Sequence, residues 1–228
     1  MKIAVIGTGM VGRALAGRLG GLGHDVVVGT RHVDQTLQRT ERDAMGTPPY
    51  REWQRAHPAV RLATFPEAGA HGELVVNATA GAVSLSALEA VGKTHLAGKV
   101  LLDLAVPLDL SHGMPPRLLF ANTDSLGEQI QRAFPDARVV KTLNTVFTEV
   151  MIDPRRVPGQ HNIFVAGEDA AAKLTVEGLL RELGWPKEAI IDLGGIQTAR
   201  GTEMYMQLYF ILAEKFGFDF NMAVVRAP

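Results

Sequence analysis

The feature that most constrains this chain is a glycine-rich segment between an apolar run and a helical pattern. Residues 3–6 are apolar and mostly β-branched, and Gly7-Thr8-Gly9-Met10-Val11-Gly12 follows directly. Apolar side chains then recur at helical spacing from Val11 to Leu22, and Gly23 is placed to end that helix. A strand, a G-x-G-x-x-G turn and a helix in this order predict a dinucleotide site. The alternative is a tight turn that binds nothing.

Each glycine of this turn has an expected task. Gly7 permits the sharp turn after the strand, Gly9 lets backbone N–H groups approach a diphosphate, and Gly12 lets the helix pack close to the strand. The helix N-terminus supplies partial positive charge for the diphosphate. Thr8, Met10 and Val11 lie between these glycines and are expected to contact the same cofactor.

The rest of the chain repeats the alternation of strand and helix. Further apolar runs are centred on β-branched residues and are separated by amphipathic segments. We expect strands at residues 3–6, 26–28, 74–77, 100–104, 139–141, 163–166, 190–193 and 222–225, with one more near Val60. We expect late helices at residues 170–183 and 197–216.

These runs are continuously apolar, as strands covered by helices on both faces should be. The pattern therefore predicts an α/β fold with a Rossmann-type doubly wound, mainly parallel sheet. We expect residues 1–150 to form the dinucleotide-binding Rossmann domain. Residues 151–228 are expected to form a compact C-terminal α/β extension packed on the same body.

Composition excludes several classes of function. The 228 residues include 23 basic and 24 acidic side chains, a net charge of −1 that gives no electrostatic case for nucleic acid or an anionic membrane. Cysteine is absent, which excludes disulfides, iron–sulfur clusters and a cysteine nucleophile. The seven histidines are scattered without the spacing of metal ligands, so no metal site is expected. No apolar stretch is long enough to cross a membrane, and we expect a soluble, cytoplasmic protein.

The end of the second predicted strand indicates which dinucleotide is bound. An NAD-selective site usually has a carboxylate here, which accepts a hydrogen bond from the ribose 2′-hydroxyl. This chain has Gly29 at that point, followed by Thr30, Arg31 and His32. A hydroxyl and a guanidinium suit the oxygens of a 2′-phosphate, so the expected cofactor is NADP(H). The alternative is that Arg31 and His32 only face solvent.

Other candidate site residues follow the later strands. Ligands bind at the carboxyl ends of strands in open α/β sheets, so residues at those ends are expected to border the cofactor. Asn144 is expected either to bind the nicotinamide carboxamide or ribose, or to cap the next helix. The expected cofactor-binding residues after these strands are Ala78, Thr79, Ala80, Ala105, Val106, Asn144 and Thr145. No catalytic side chain is predicted, because hydride transfer between two cofactors needs no protein acid or base.

Three segments of the chain are relevant together: the first glycine turn, Gly29-Thr30-Arg31, and the segment from Val139 to Thr145, which contains a Lys-x-x-Asn-Thr stretch. Taken together, they resemble the coenzyme F420-dependent NADP oxidoreductase family. The resemblance runs over the whole length. It implies hydride transfer between NADP(H) and a deazaflavin, coenzyme F420, as co-substrate. The chain differs in having no proline in residues 77–81 and no asparagine before Pro107, where relatives commonly have them.

Two alternatives stay open at this point. The protein is either a reductase of another acceptor, such as a flavin, a metal chelate or an imine, or a regulatory protein that binds NADP(H) without turnover. A small-molecule redox acceptor is the expected partner. The apolar C-terminal helix and the resemblance both favour a homodimer, although its aromatic side chains would also suit the core or a wall against a deazaflavin ring.

Overall fold

A computed structural model describes residues 1–43 and 46–227, and its centre is an eight-stranded sheet with the order β10-β9-β8-β5-β4-β1-β2-β3. A separate two-stranded ribbon pairs β6 with β7. The strands are β1 (Lys2–Ile6), β2 (Asp25–Thr30), β3 (Arg61–Thr64), β4 (Leu74–Asn77), β5 (Val100–Asp103), β6 (Leu108–Asp109), β7 (Arg117–Leu118), β8 (Arg138–Thr142), β9 (Ile163–Ala166) and β10 (Ile190–Asp192).

Helices connect these strands. The α-helices are α1 (Met10–Gly21), α2 (Val33–Gln38), α3 (Tyr50–Ala56), α4 (Phe65–His71), α5 (Ser84–Val91), α6 (Lys93–Leu96), α7 (Leu126–Ala133), α8 (Thr148–Ile152), α9 (Ala170–Leu183) and α10 (Ala199–Phe216). Short 3₁₀ turns lie at Gly81–Val83, Pro154–Arg156, Lys187–Ala189 and Ile196–Thr198.

Both faces of the sheet are covered by helices, which explains why its strands are apolar throughout. One core layer packs Leu15 of α1 and Leu180 of α9 against the sheet, and the opposite layer uses Leu88 of α5 and Ile130 of α7. The predicted doubly wound α/β fold is confirmed. Among the described strands of the large sheet, neighbours run parallel except β8 and β9, which are antiparallel.

The order of the strands determines where a ligand can bind. β1 pairs with β2 on one side and with β4 on the other, so successive crossovers leave β1 in opposite directions. Such a switch point opens a crevice at the carboxyl ends of the strands. The glycine turn follows β1 directly and therefore lies in that crevice.

The C-terminal segment continues the same sheet. β8 pairs with β9 through Lys141 opposite Ala166 and Thr142 opposite Val165. The boundary expected near residue 150 thus falls between two adjacent strands of one sheet, and the division into two units stays a prediction. Trp185, beyond that boundary, is 1% exposed and donates a hydrogen bond to the Met151 carbonyl at 3.1 Å.

The prediction of a strand at residues 222–225 is wrong. The chain there lies beside Asn162, whose N–H donates to the Met222 carbonyl at 2.9 Å. The side-chain oxygen of Asn162 then accepts from the Val224 N–H at 2.7 Å. A side chain takes the place of the next backbone acceptor, so no regular ladder forms. Within the described residues, no helix is long and apolar enough to cross a membrane.

The central position of β5 leads to a prediction about stability. Leu101 is fully buried, so Leu101→Ala should lower the free energy of unfolding by about 3 kcal/mol through lost burial and a residual cavity. Chemical denaturation measures this change. Leu174→Ala is the matched control, because Leu174 is 67% exposed on α9 and its loss should cost less than about 0.5 kcal/mol. Equal losses for the two variants would contradict this packing.

Candidate active site

The glycine turn brings three backbone segments into direct contact. Gly7 has φ +123°, and a Cβ atom at this residue would lie 2.5 Å from the Ala78 carbonyl oxygen. A Cβ atom at Gly12 would lie 2.2 Å from the Gly7 carbonyl oxygen. A side chain at either position would push apart the turn, helix α1 and the end of β4. Both glycines are therefore required by close packing, as the sequence pattern predicts.

Gly9 differs from its two neighbours. A Cβ atom there would meet nothing within 4 Å, so the space beside Gly9 is open to a ligand. Gly9 is the N-cap of α1, and among the described residues no side chain caps this helix and no acidic residue lies in its first turn. The N–H groups and the positive end of the helix dipole thus face an open side, which fits a diphosphate.

The end of β2 carries the residues expected to select the cofactor. Thr30 is 7% exposed, and its hydroxyl lies 2.8 Å from the hydroxyl of Thr36 on α2. Arg31 and His32 follow and are exposed. The structure thus places one buried hydroxyl and two exposed basic side chains on the same side of the glycine turn.

The ends of β4 and β5 form an adjoining wall. Ala78, Thr79 and Ala80 follow β4, and a Cβ atom at the next residue, Gly81, would lie 2.0 Å from the Val106 carbonyl oxygen. The two loops therefore touch through their backbones.

Side chains fix the first of these two loops. The Thr79 hydroxyl donates to the Asn77 side-chain oxygen at 2.7 Å and lies 2.8 Å from the Ser84 hydroxyl. The Asn77 amide donates in turn to Asp103 at 2.8 Å, which connects the ends of β4 and β5.

The end of β8 presents buried polar groups without protein partners. Among the described residues, the hydroxyls of Thr142 and Thr145 and the amide nitrogen of Asn144 have no hydrogen-bond partner. Asn144 is not a helix cap, because α8 begins at Thr148 with Phe147 as its N-cap. Unpartnered buried donors are costly, so this edge fits a ligand that supplies acceptors. Leu143, with φ +62°, is held in the left-handed region beside them.

A buried charge cluster supports these strand ends. Lys141 is 1% exposed, and its ammonium group lies 2.9 Å from Asp103 Oδ2 and 2.8 Å from Glu203 Oε1. It also donates to the Ala105 carbonyl. Although burial alone lowers the pKa of Lys141, the two adjacent carboxylates raise it above its usual value, so this lysine stays protonated.

The two carboxylates of the cluster are themselves satisfied by backbone groups. Asp103 accepts from the Ala105 N–H at 3.2 Å. Glu203, on α10, accepts from the N–H groups of Leu126 and Gly127 at 2.8 Å and 3.1 Å, at the start of α7. The cluster thus ties α10 of the C-terminal extension to the carboxyl ends of β5 and β8.

Arg13, like Glu203, is a residue of this region that the sequence analysis does not single out. It is 8% exposed, its Nε donates to the Thr8 carbonyl at 2.7 Å, and it also donates to the Pro48 carbonyl. Its guanidinium lies 5.2 Å from the centre of the Tyr50 ring. Arg13 therefore fastens the segment before α3 to the glycine turn. The contacts of Arg13 with Pro48 and of Glu203 with Lys141 have no local signal, since they join residues 35 and 62 positions apart.

The structure brings the sixteen predicted residues to one edge of the sheet. They follow β1, β2, β4, β5 and β8, whose carboxyl ends meet there. Their individual roles toward a cofactor stay predictions. Within the described residues, no group of three or more histidine, aspartate or glutamate side chains is arranged to hold a metal ion.

Comparison with known proteins identifies the family. The model of the family described as "NADP oxidoreductase coenzyme F420-dependent" matches residues 2–107. A crystal structure from Arthrobacter sp. FB24, proposed to be an F420-dependent NADP-reductase, is 54% identical with a TM-score of 0.94, covering 99% of this chain and 100% of that one. This chain belongs to the coenzyme F420-dependent NADP oxidoreductase family.

More distant relatives are also reductases by name. The F420-dependent NADP reductase of Methanocaldococcus jannaschii is 27% identical over 218 residues, covering 95% of this chain and 94% of that protein. The metalloreductase STEAP3 of Rattus norvegicus is 26% identical over 203 residues. That match covers 89% of this chain but 36% of STEAP3, so the chain spans about a third of that relative. The protein is an NADP-dependent oxidoreductase with a Rossmann-type fold.

The contrast between Gly9 and Gly12 gives a prediction. Gly9→Ala should lower the free energy of unfolding by no more than about 1 kcal/mol, because its methyl enters open space and only the poorer N-cap preference of alanine opposes it. The same methyl should weaken NADPH binding tenfold or more, about 1.4 kcal/mol, by keeping the diphosphate from the backbone. Calorimetric titration and chemical denaturation measure the two effects.

Two further variants serve as comparisons for Gly9→Ala. Gly12→Ala should reduce both stability and binding, since its methyl would strike the Gly7 carbonyl. Gly21→Ala, at the far end of α1 with nothing within 4 Å of the new Cβ, should change NADPH binding little. Unchanged NADPH affinity in Gly9→Ala would contradict the placement of the diphosphate at this turn.

Proposed function

We propose that this protein transfers a hydride directly between NADP(H) and the deazaflavin ring of coenzyme F420. The observation that carries the proposal is the single edge of the sheet that joins the open glycine turn to the unpartnered donors after β8. A dinucleotide bound along this edge has its diphosphate at Gly9 and its nicotinamide near Asn144 and Thr145. The nicotinamide supplies or accepts the hydride, and the protein binds and orients it.

The residues have the following proposed roles. The backbone from Gly7 to Gly12 binds the diphosphate, and Thr30, Arg31 and His32 bind the 2′-phosphate. The loops after β4 and β5 form the wall along the nicotinamide half. The unpartnered amide nitrogen of Asn144 donates to the nicotinamide carboxamide or ribose.

The charge cluster favours an acceptor that needs no proton from the protein. A reductase of imines or carbonyls requires a positioned proton donor. Lys141 carries an ammonium group at this edge, but its three donor positions are taken by Asp103, Glu203 and the Ala105 carbonyl. It is buried and cannot release a proton to a substrate without breaking these contacts. Hydride transfer between two heteroaromatic rings makes no such demand.

The acceptor side also suits a flat apolar ring. A cavity of about 190 Å³ borders Thr145 and is lined by Phe164, Leu193 and Tyr205, among others. Apolar and aromatic walls with few polar groups are typical of sites that hold planar ligands. We propose that the ring of the acceptor enters from this side, against residues of the C-terminal extension. The names of the M. jannaschii and Arthrobacter relatives support the choice of F420.

The two expected parts of the chain would then bind different partners of the reaction. We propose that residues 1–150 hold NADP(H), and that residues 151–228 complete the acceptor side and contribute Glu203 to the cluster. We also propose a cytoplasmic location, since a chain without cysteine needs no oxidising compartment.

The direct test is an anaerobic assay with purified protein, oxidised F420 and either NADPH or NADH. Loss of the visible absorbance of the deazaflavin with NADPH supports the proposal. Tight NADPH binding without this loss would refute F420 as acceptor. Screening flavins, metal chelates and imines would then separate a reductase of another acceptor from a protein that only senses NADP(H).

Selection of the 2′-phosphate gives a separate prediction. Arg31→Ala should weaken NADPH binding tenfold to a hundredfold, about 1.5 to 3 kcal/mol, because a charge-assisted hydrogen bond to phosphate is lost. NADH binding should change little. Fluorescence titration of both nucleotides measures this difference. Arg181→Ala, which removes an exposed arginine from α9, is the matched control. An equal loss for NADPH and NADH in Arg31→Ala would refute the assignment.

We further propose a homodimer formed through α10. Met204, Leu208 and Ile211 are 37%, 51% and 55% exposed and recur at helical spacing along one side of this helix. An exposed apolar stripe of this kind is typical of an interface.

This interface is testable by one substitution. Leu208→Glu should convert a dimer into a monomer, because an unpaired charge would have to be buried at the contact. Light scattering after size exclusion measures the mass. Leu174→Glu, at an exposed apolar position on α9, should leave the mass unchanged. A wild-type protein that is monomeric at micromolar concentration would refute the interface.

A further inference from the structure

The buried cluster of Asp103, Lys141 and Glu203 contains two carboxylates and one ammonium group. All three residues are at most 3% exposed. With both acids ionised, the cluster carries one excess negative charge. Burying a charge is costly, and replacing such clusters by apolar residues is often neutral or stabilising. Stability alone therefore gives little reason for the second carboxylate.

The cluster lies directly behind the wall that borders the proposed nicotinamide site. Lys141 donates to the Ala105 carbonyl, and Asp103 accepts from the Ala105 N–H at 3.2 Å. The next residue, Val106, contacts the loop after β4 through the close approach at Gly81. The charges therefore lie behind one peptide segment of the site rather than at a remote surface.

The groups around the cluster offset only part of its charge. Glu203 accepts from the first N–H groups of α7, where the helix dipole contributes about half a positive charge. Glu128 of α7 is paired with Arg200, whose Nε donates to it at 2.8 Å, so this second pair is neutral. Among the described residues in these contacts, negative charge remains in excess.

The excess negative charge of the cluster would act differently on the two redox states of the cofactor. The nicotinamide ring of NADP⁺ carries a positive charge, whereas that of NADPH is neutral. We propose that the excess carboxylate of the Asp103–Lys141–Glu203 cluster stabilises bound NADP⁺ relative to bound NADPH and so favours hydride donation from NADPH. This inference rests on the proposed placement of the nicotinamide. A unit charge acting through protein with an effective dielectric constant of about 20, partly offset by the helix dipole, should change the ratio of the two affinities threefold to tenfold.

The test is the ratio of the dissociation constants of NADP⁺ and NADPH, measured by calorimetric titration without any acceptor. Glu203→Gln removes the excess charge while keeping the shape, and it should raise this ratio threefold to tenfold. Glu203→Asp keeps the charge but shortens the side chain, and its ratio should stay within twofold of wild type. Glu128→Gln removes a carboxylate of α7 that is paired with Arg200 and not with Lys141, so it is the matched control and should also leave the ratio unchanged.

A second variant tests the same inference if Glu203→Gln does not fold. Asp103→Asn removes a charge from the other end of the cluster and should raise the ratio in the same direction, with circular dichroism confirming the fold. An unchanged ratio in a folded charge-removing variant would overturn the inference. A rise in Glu203→Asp equal to that in Glu203→Gln would also overturn it, because shape rather than charge would then be responsible.

The same measurements separate this inference from the proposed function. An unchanged ratio together with reduction of F420 by NADPH would remove the inference and leave the function. A raised ratio without any reduction of F420 would support the inference and remove F420 as acceptor. Binding of neither nucleotide by the wild-type protein would overturn both.

Discussion

The contact between the glycine turn, the start of α1 and the end of β4 is the constraint on which the rest of the site depends. Side chains at Gly7 or Gly12 would collide with backbone atoms at 2.5 Å and 2.2 Å. Their absence lets three segments meet at the switch point of the sheet, and it leaves the space beside Gly9 open. The positive end of α1 is thereby aimed into the crevice along which the other strand ends lie. The family assignment and the geometry are compatible at this point, because the family model covers the turn and the open space beside Gly9 would accept the diphosphate that we propose there.

Buried polar contacts then hold the strand ends that this crevice exposes. Asn77 joins β4 to Asp103, Lys141 joins β5 to β8, and Glu203 brings in α10 and the start of α7. Such contacts cost desolvation but allow few alternative arrangements. These contacts hold the C-terminal extension, which contains the antiparallel strand β9, in place against the Rossmann half. The same contacts occupy all three donor positions of Lys141, so its ammonium group is held within the cluster.

Much of the fold could be predicted from the sequence, because it depends on local pattern. The strand, glycine turn and helix from β1 to α1 are encoded by adjacent residues, and so is the continuous apolar character of buried strands. The antiparallel direction of β9 was not predicted, because hydrophobicity is the same for either direction. The prediction of a strand at residues 222–225 is wrong because the side-chain oxygen of Asn162, and not a backbone carbonyl, accepts the hydrogen bond from the Val224 N–H. The roles of Arg13 and Glu203 depend on distant partners, which no short pattern reveals.

The proposed reaction is direct transfer of hydride from NADPH to the deazaflavin along this edge of the sheet. The measurement that tests it most directly uses NADPH carrying deuterium at the reactive carbon, with oxidised F420 in ordinary water and mass spectrometry of the products. We expect the deuterium in the reduced deazaflavin and not in the solvent, because the hydride passes directly between the two rings. Deuterium lost to water, or a reduced deazaflavin without the label, would contradict it.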